Sequence, residues 1–234
     1  MLSLCRGEKT TLEKEKIRYR EMSLRNKIYF SPFGYLIHIA LVILAAFGKR
    51  CMVYGYWNSD GKYLPKCRIS SKAWILGKKK LKIGDNVWIN HYARIDTTSG
   101  VEIGEGCQIG YGVCILSHSS HNAIRLLGTH YMEIPIVDRT GYIFKPVKIG
   151  KYTFVGGGSC IMPGVTIGKG CVIGVNSVVT HDIPDYSIAM GNPARVTGST
   201  LEIDRKFLAE NPGLEEMYYD EEALKRLKVD EENI

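Results

Sequence analysis

The aliphatic residues of this chain recur every six positions. Ile69 and Ile75 begin the series, Ile83, Ile89 and Ile95 continue it, then come Ile103, Ile109 and Ile115. After a gap it resumes at Ile149, Val155, Ile161, Ile167, Ile173 and Val179. Fourteen positions hold the phase, interrupted by two eight-residue steps and one gap of 34. Two residues before each stands a mostly small or medium side chain, as at Cys67, Val87, Cys107, Ser159 and Ser177, and a glycine often follows, as at Gly84, Gly104 and Gly150. An α-helix repeats every 3.6 residues and a strand every 2, so neither explains a period of six. A short strand plus a corner does: the aliphatic side chain fills the inside of a prism, and glycine supplies the backbone angles of a tight corner. Three such units close a coil of about eighteen residues, and stacked coils bury one continuous Ile/Val column.

The pattern changes at both ends. Thr10 to Lys27 is charged and helix-compatible, and Phe33 to Phe47 is a fifteen-residue apolar run in which His38 is the polar exception. At 1.5 Å per residue this run spans about 22 Å, short of the roughly 30 Å of a bilayer core, so it is expected to pack on the prism or lie in a membrane interface rather than to span. From Leu201 the spacing predicts two short amphipathic helices on either side of Asn211-Pro212-Gly213, covering the end of the prism. The expected organisation is an N-terminal helical and apolar segment over 1–65, a mainly β repeat domain over 66–197 with an excursion loop at 117–146, and a helical cap over 198–234.

Composition narrows the function classes. With 45% hydrophobic and 24% charged residues among 234, the chain folds rather than staying disordered. The net charge of +7 is uneven: residues 201–234 carry −6, leaving +13 on the first 200. That surplus points to anionic partners such as phosphates or lipid headgroups, and no nucleic-acid partner is expected. Seven cysteines without a Cys-x-x-Cys pair fit reduced thiols in a cytoplasmic protein, and residues 28–50 offer it a peripheral contact with the inner face of the membrane. Met1 to Asn26 lacks the early apolar core of a cleavable signal peptide.

The gap of 34 is where a site is expected, because loops leaving a rigid scaffold carry function. It opens with Ser117-His118-Ser119-Ser120-His121. A neutral imidazole there suits removal of a proton from an attacking hydroxyl.

From Lys66 to Thr197 the chain resembles the hexapeptide-repeat acyltransferases, closest to the galactoside, maltose and xenobiotic acetyltransferases and the polysaccharide O-acetyltransferases. The resemblance implies a left-handed parallel β-helix, a homotrimer with active sites between subunits, and acetyl-CoA as co-substrate with no metal. It makes His118 the catalytic base. Phe154 and Gly157, in Tyr152-Thr153-Phe154-Val155-Gly156-Gly157-Gly158, fall on the coenzyme A groove, with the Gly157 amide facing the thioester oxygen. Val175 and Ser177 fall where the adenine passes, and Arg195, in Gly191-Asn192-Pro193-Ala194-Arg195, could pair with a phosphate. Asn90 and Asp96 fall near sugar-binding positions, and His121 takes the place of an acid three residues after the base. The activity implied is acetyl transfer to a sugar hydroxyl in surface polysaccharide synthesis. The alternatives are transfer to an amino sugar, a γ-carbonic-anhydrase-like zinc enzyme drawing on His91, His118, His121 and His130, and a non-enzymatic β-helix scaffold.

Overall fold

The repeat winds into coils one strand per six residues. The computed structural model describes residue 28 and residues 31–48, 51–211 and 213–232; the helix expected over 10–27 lies outside the described residues. Helix α1 (Gly34–Ala46) is followed by an antiparallel hairpin of β1 (Met52–Trp57) and β2 (Tyr63–Ser70). Residues 52–65, grouped by sequence with the apolar segment, are therefore sheet. Their aromatic and β-branched side chains favour strands, and the Gly61 N–H closes the turn on the Asn58 carbonyl at 3.0 Å.

The end of β2 is the first side of the prism, which β3 (Trp74–Leu76) and β4 (Leu81–Ile83) complete. The second coil is β5 (Trp88–Ile89), β6 (Arg94–Asp96) and β7 (Val101–Ile103). The third begins with β8 (Gln108–Ile109) and β9 (Cys114–Ile115). It then breaks into the excursion, with β10 (His118–Ser119), α2 (Ala123–Leu127) and β11 (Ile143–Phe144), and closes with β12 (Val147–Ile149). A fourth coil follows with β13 (Phe154–Val155), β14 (Cys160–Ile161) and β15 (Thr166–Ile167), then β16 (Val172–Ile173) and β17 (Val178–Val179).

Coil stacking makes three parallel sheets, and their register aligns the aliphatic column. Ile69, Ile89, Ile109, Val155 and Ile173 pair in succession on the first sheet. Ile75, Ile95, Ile115, Ile161 and Val179 do so on the second, and Ile83, Ile103, Ile149 and Ile167 on the third. All fourteen join one core, with Ile75 in the first coil only partly buried. Each fully buried side chain contributes about 1.5–3 kcal/mol. Small polar residues two positions earlier tie the coils together inside the corners. The Thr153 and Ser159 hydroxyls donate to the Gly168 and Gly174 carbonyls, both at 2.8 Å.

The glycine after each aliphatic residue is needed for closeness rather than for a bent backbone. A Cβ on Gly104 would sit 2.5 Å from the Lys151 nitrogen of the next coil, and one on Gly150 would sit 2.4 Å from that of Lys169. The left-handed backbone falls two residues later, where Gly106 shares its corner with Asn86 (φ 59°) and Tyr152 (φ 54°).

At the far end β18 (Ser187–Gly191) and β19 (Ala194–Ser199) form an antiparallel hairpin that continues the first sheet past the last coil. This hairpin, more than the helices, covers the sheet edge. Helices α3 (Thr200–Glu210) and α4 (Glu221–Glu232) follow, with the Ser199 hydroxyl accepting from the Leu201 N–H at the start of α3. The segment docks along one corner: Thr200 donates to the Gly170 carbonyl at 2.8 Å, and Asp220 accepts from Tyr186 at 2.6 Å and pairs with Lys169 at 2.7 Å. Burial opposes ionisation of Asp220, but the bonds from Lys169, Tyr186 and the Ala223 N–H outweigh it and hold the carboxyl well below the usual carboxylate range.

Gly104→Ala is expected to cost about 1–3 kcal/mol by forcing two coils apart, read as a lowered urea midpoint. Because the Asp220 pKa is depressed in the folded state, its contribution is present above the unfolded value of about 4 and is lost as pH falls below it. Hydrogen-exchange protection factors in α4, corrected for the intrinsic rate, should therefore fall on acidification, and Asp220→Asn should flatten that dependence.

Candidate active site

The three irregularities of the repeat fall at one corner. The eight-residue steps from Ile75 to Ile83 and from Ile95 to Ile103, and the gap from Ile115 to Ile149, all join the second sheet to the third on successive coils. The corner is widened by Gly77–Lys80 on the first coil and by Thr97–Gly100 on the second, and it opens into the excursion on the third. By the fourth coil, Ile161 to Ile167, it is back to six.

His118 stands at the mouth of the excursion, and its backbone is held on both sides. Strands β10 and β11 pair antiparallel, His118 opposite Phe144. The Lys145 N–H closes the neck on the Ser117 carbonyl at 3.0 Å, and the buried Ser117 hydroxyl accepts from the Ser99 N–H at 2.9 Å. From the second coil, at the end of β6, Asp96 places a carboxylate oxygen against His118 Nδ1. Asp96 is 5% exposed, and its other oxygen accepts from the Thr98 N–H at 2.8 Å. With a carboxylate oxygen against Nδ1, the tautomer that carries its proton there has the Nε2 lone pair free. The Tyr142 ring lies nearly parallel to the imidazole at 5.7 Å, and Phe144 stacks behind it at 4.5 Å.

Asp96, expected near a sugar-binding position, is buried in this structure with a carboxylate oxygen against His118. His121 is exposed, with Nδ1 against the Ser119 hydroxyl at 2.7 Å, and it does not join the His118–Asp96 pair.

The other expected site residues lie elsewhere on the prism. Asn90, Gly157 and Val175 stack on the corner between the first and second sheets, and Phe154 faces outward, half exposed, on the first sheet. Asn90 accepts from the His91 N–H at 2.8 Å, the Gly158 N–H reaches the Tyr111 carbonyl at 2.8 Å, and Val175 is 69% exposed. Arg195 is exposed on β19. Ser177 is corrected: it is fully buried at an inward position of the repeat, where its hydroxyl accepts from the Gly191 N–H at 3.1 Å, so it cannot line an outer groove.

One sheet face separates this corner from His118. Six steps, from Gly112 to His118, cross it, a span of about 20 Å at some 3.3 Å per step. A single protomer therefore does not bring the imidazole and Gly157 together. Cys114 and Cys160 lie in register on the outward side of this face. A hydrogen bond from Cys160 lowers the Cys114 thiol to about 7, while that same bond pushes Cys160 up. The four histidines weighed as zinc ligands do not converge. His91 sits at the first corner, bonded to the Ser70 hydroxyl at 2.5 Å, and His130 pairs with Glu133 at 2.8 Å. Among the described residues no group of three or more His, Cys, Asp or Glu could hold a metal ion.

Tyr142 and Phe144 escaped the sequence reading because the excursion has no period to mark its return. Asp96 had a signal: it opens an eight-residue step one coil before the gap.

Residues 146–181 match the family described as bacterial transferase hexapeptide (six repeats). The chain is 36% identical over 118 residues to a probable acetyltransferase of Mycobacterium tuberculosis, covering 50% of this chain and 36% of that protein. It is 37% identical over 124 residues to a putative acetyltransferase of Saccharomyces cerevisiae, covering 52% and 57%. A galactoside acetyltransferase solved in complex with coenzyme A aligns at 30% identity and a TM-score of 0.48, covering 57% of this chain and 62% of that one. The chain thus spans between about a third and just over half the length of these curated relatives. The matched hexapeptide repeat at residues 146–181 thus lies within coils that the three parallel sheets wind into a β-helix.

Proposed function

We propose that this protein is an acetyl-CoA-dependent O-acetyltransferase that acts on a sugar hydroxyl in surface polysaccharide synthesis, working as a homotrimer in the cytoplasm. The observation that carries the reading is the His118–Asp96 pair, built where the repeat breaks. Similarity to proteins named acetyltransferases, including one for galactosides that binds coenzyme A, supports the reaction class.

In this reading Asp96 is a positioning residue: it holds the Nδ1 proton and keeps the imidazole in the tautomer whose Nε2 is basic. His118 Nε2 takes the proton of the acceptor hydroxyl as that oxygen bonds to the thioester carbonyl carbon. The Gly157 N–H of a neighbouring protomer faces the oxygen on which negative charge develops. The carbon–sulfur bond then breaks, and the His118 imidazolium gives its proton to the departing thiolate. The acetyl ester and free thiol account for every atom. Phe154 and Val175 line the coenzyme A groove beside Gly157, with Arg195 toward its phosphates, and Asn90 and His121 contact the acceptor. The width of the second sheet face supports a site shared between two protomers, since it keeps these two halves apart within one.

His118→Ala is expected to lower kcat by about 10²–10⁴ while coenzyme A binding by calorimetry persists. Asp96→Asn should lower kcat less than His118→Ala does and leave coenzyme A binding by calorimetry unchanged. The acceptor screen should pair thiol release from acetyl-CoA with sugars, oligosaccharides and amino sugars. Co-expressed His118→Ala and Gly157→Leu chains, each inactive alone, should recover part of the activity in mixed trimers. A folded His118→Ala protein with full turnover on its acceptor would overturn the assignment.

A further inference from the structure

We propose that the N-terminal end of the prism is a docking surface for an anionic phospholipid bilayer. The inference stands apart from the acetyl-transfer reading, because it uses none of that site's residues.

Helix α1 turns one side toward the hairpin, where His38 Nδ1 bonds the Tyr54 carbonyl at 2.7 Å. Leu36, Ile39, Ile43 and Phe47 form a stripe at helical spacing on its exposed surface, with Leu36 62% and Phe47 80% exposed. Phe33, Val42 and Leu44 are also exposed and broaden it. No polar side chain interrupts the stripe. Thirteen residues make about 20 Å of helix, too short to cross a bilayer of roughly 30 Å but suited to lying in its surface. Beside the start of α1, Tyr35 packs edge-on against Trp57, which is 51% exposed, and such rings favour the membrane–water boundary.

The charge around this helix selects the occupant. Residues 31–80 hold nine Lys or Arg and a single acid, Asp60, a net of +8. Lys78, Lys79 and Lys80 form an exposed 3₁₀ turn, and Lys78 and Lys79 line a 530 Å³ cavity together with His38, Val42 and Trp57. The C-terminal helices at the other end of the prism lie in a segment of net charge −6, so an anionic surface attracts one end and repels the other. An isologous pair docked face to face would bring two of these basic surfaces together, which disfavours that pairing as what covers the stripe.

The test is flotation of the full chain with vesicles of phosphatidylcholine alone or with roughly one third phosphatidylglycerol, at low and high salt. Binding is expected to phosphatidylglycerol vesicles and to weaken with salt. Leu36→Glu combined with Ile43→Glu, and separately the Lys78→Glu, Lys79→Glu, Lys80→Glu triple variant, should each reduce it at least about tenfold with unchanged circular dichroism. Absence of binding, equal binding to both vesicle types, or binding indifferent to both variants would overturn the proposal. So would a fall in oligomer mass for Leu36→Glu with Ile43→Glu in sedimentation velocity, which would assign the stripe to contact between copies of this chain.

Discussion

Neighbouring coils stacked at strand spacing constrain everything else in this molecule. Each turn of the chain must present its backbone to the turn above and below, so in-register aliphatic side chains fill most of the prism. The same spacing excludes a Cβ at Gly104 or Gly150, since the next coil's backbone nitrogen occupies that place. Polar residues enter the interior where a hydroxyl can bond an adjacent backbone group, as Thr153 and Ser159 do with carbonyls.

A prism of this kind can vary only at its corners without losing the column. The corner between the second and third sheets is where it does so, by two added residues on each of two coils and then by the excursion. This graded widening sets Asp96 one coil away from His118 and clears room for the Tyr142 and Phe144 rings. The scaffold supplies rigidity on three sides of the imidazole, while the loop supplies what is specific. The long separation from the Gly157 corner has the same origin, because a triangular coil keeps its corners one face apart.

Charge is distributed along the prism axis rather than around it. The first coil and the hairpin are basic, and the terminal helices are acidic yet anchored through Lys169 and Asp220. An elongated scaffold of stacked coils keeps such opposite ends apart, where a globular core would bring them within screening distance.

Most of the architecture was legible because one period of six encodes burial directly: the positions in phase are the core, and Cys67, Val87 and Ser159 two residues earlier point inward with them. That rule, had it been applied strictly, would have kept Ser177 out of an outer groove. His118 was legible as the first histidine after the period fails, whereas Asp96 was legible as a residue but not in its orientation, because nothing in a linear spacing says that two widened corners lie above one another. By itself the sequence determined the repeat, the buried column, the excursion and its histidine, since each follows from side-chain size and period. Tertiary structure alone decided the pairing of His118 with Asp96, the aromatic stack, the hairpin at residues 52–70 and the exposure of α1, because these depend on which coil lies beside which, and stacking is a relation between residues far apart in the chain.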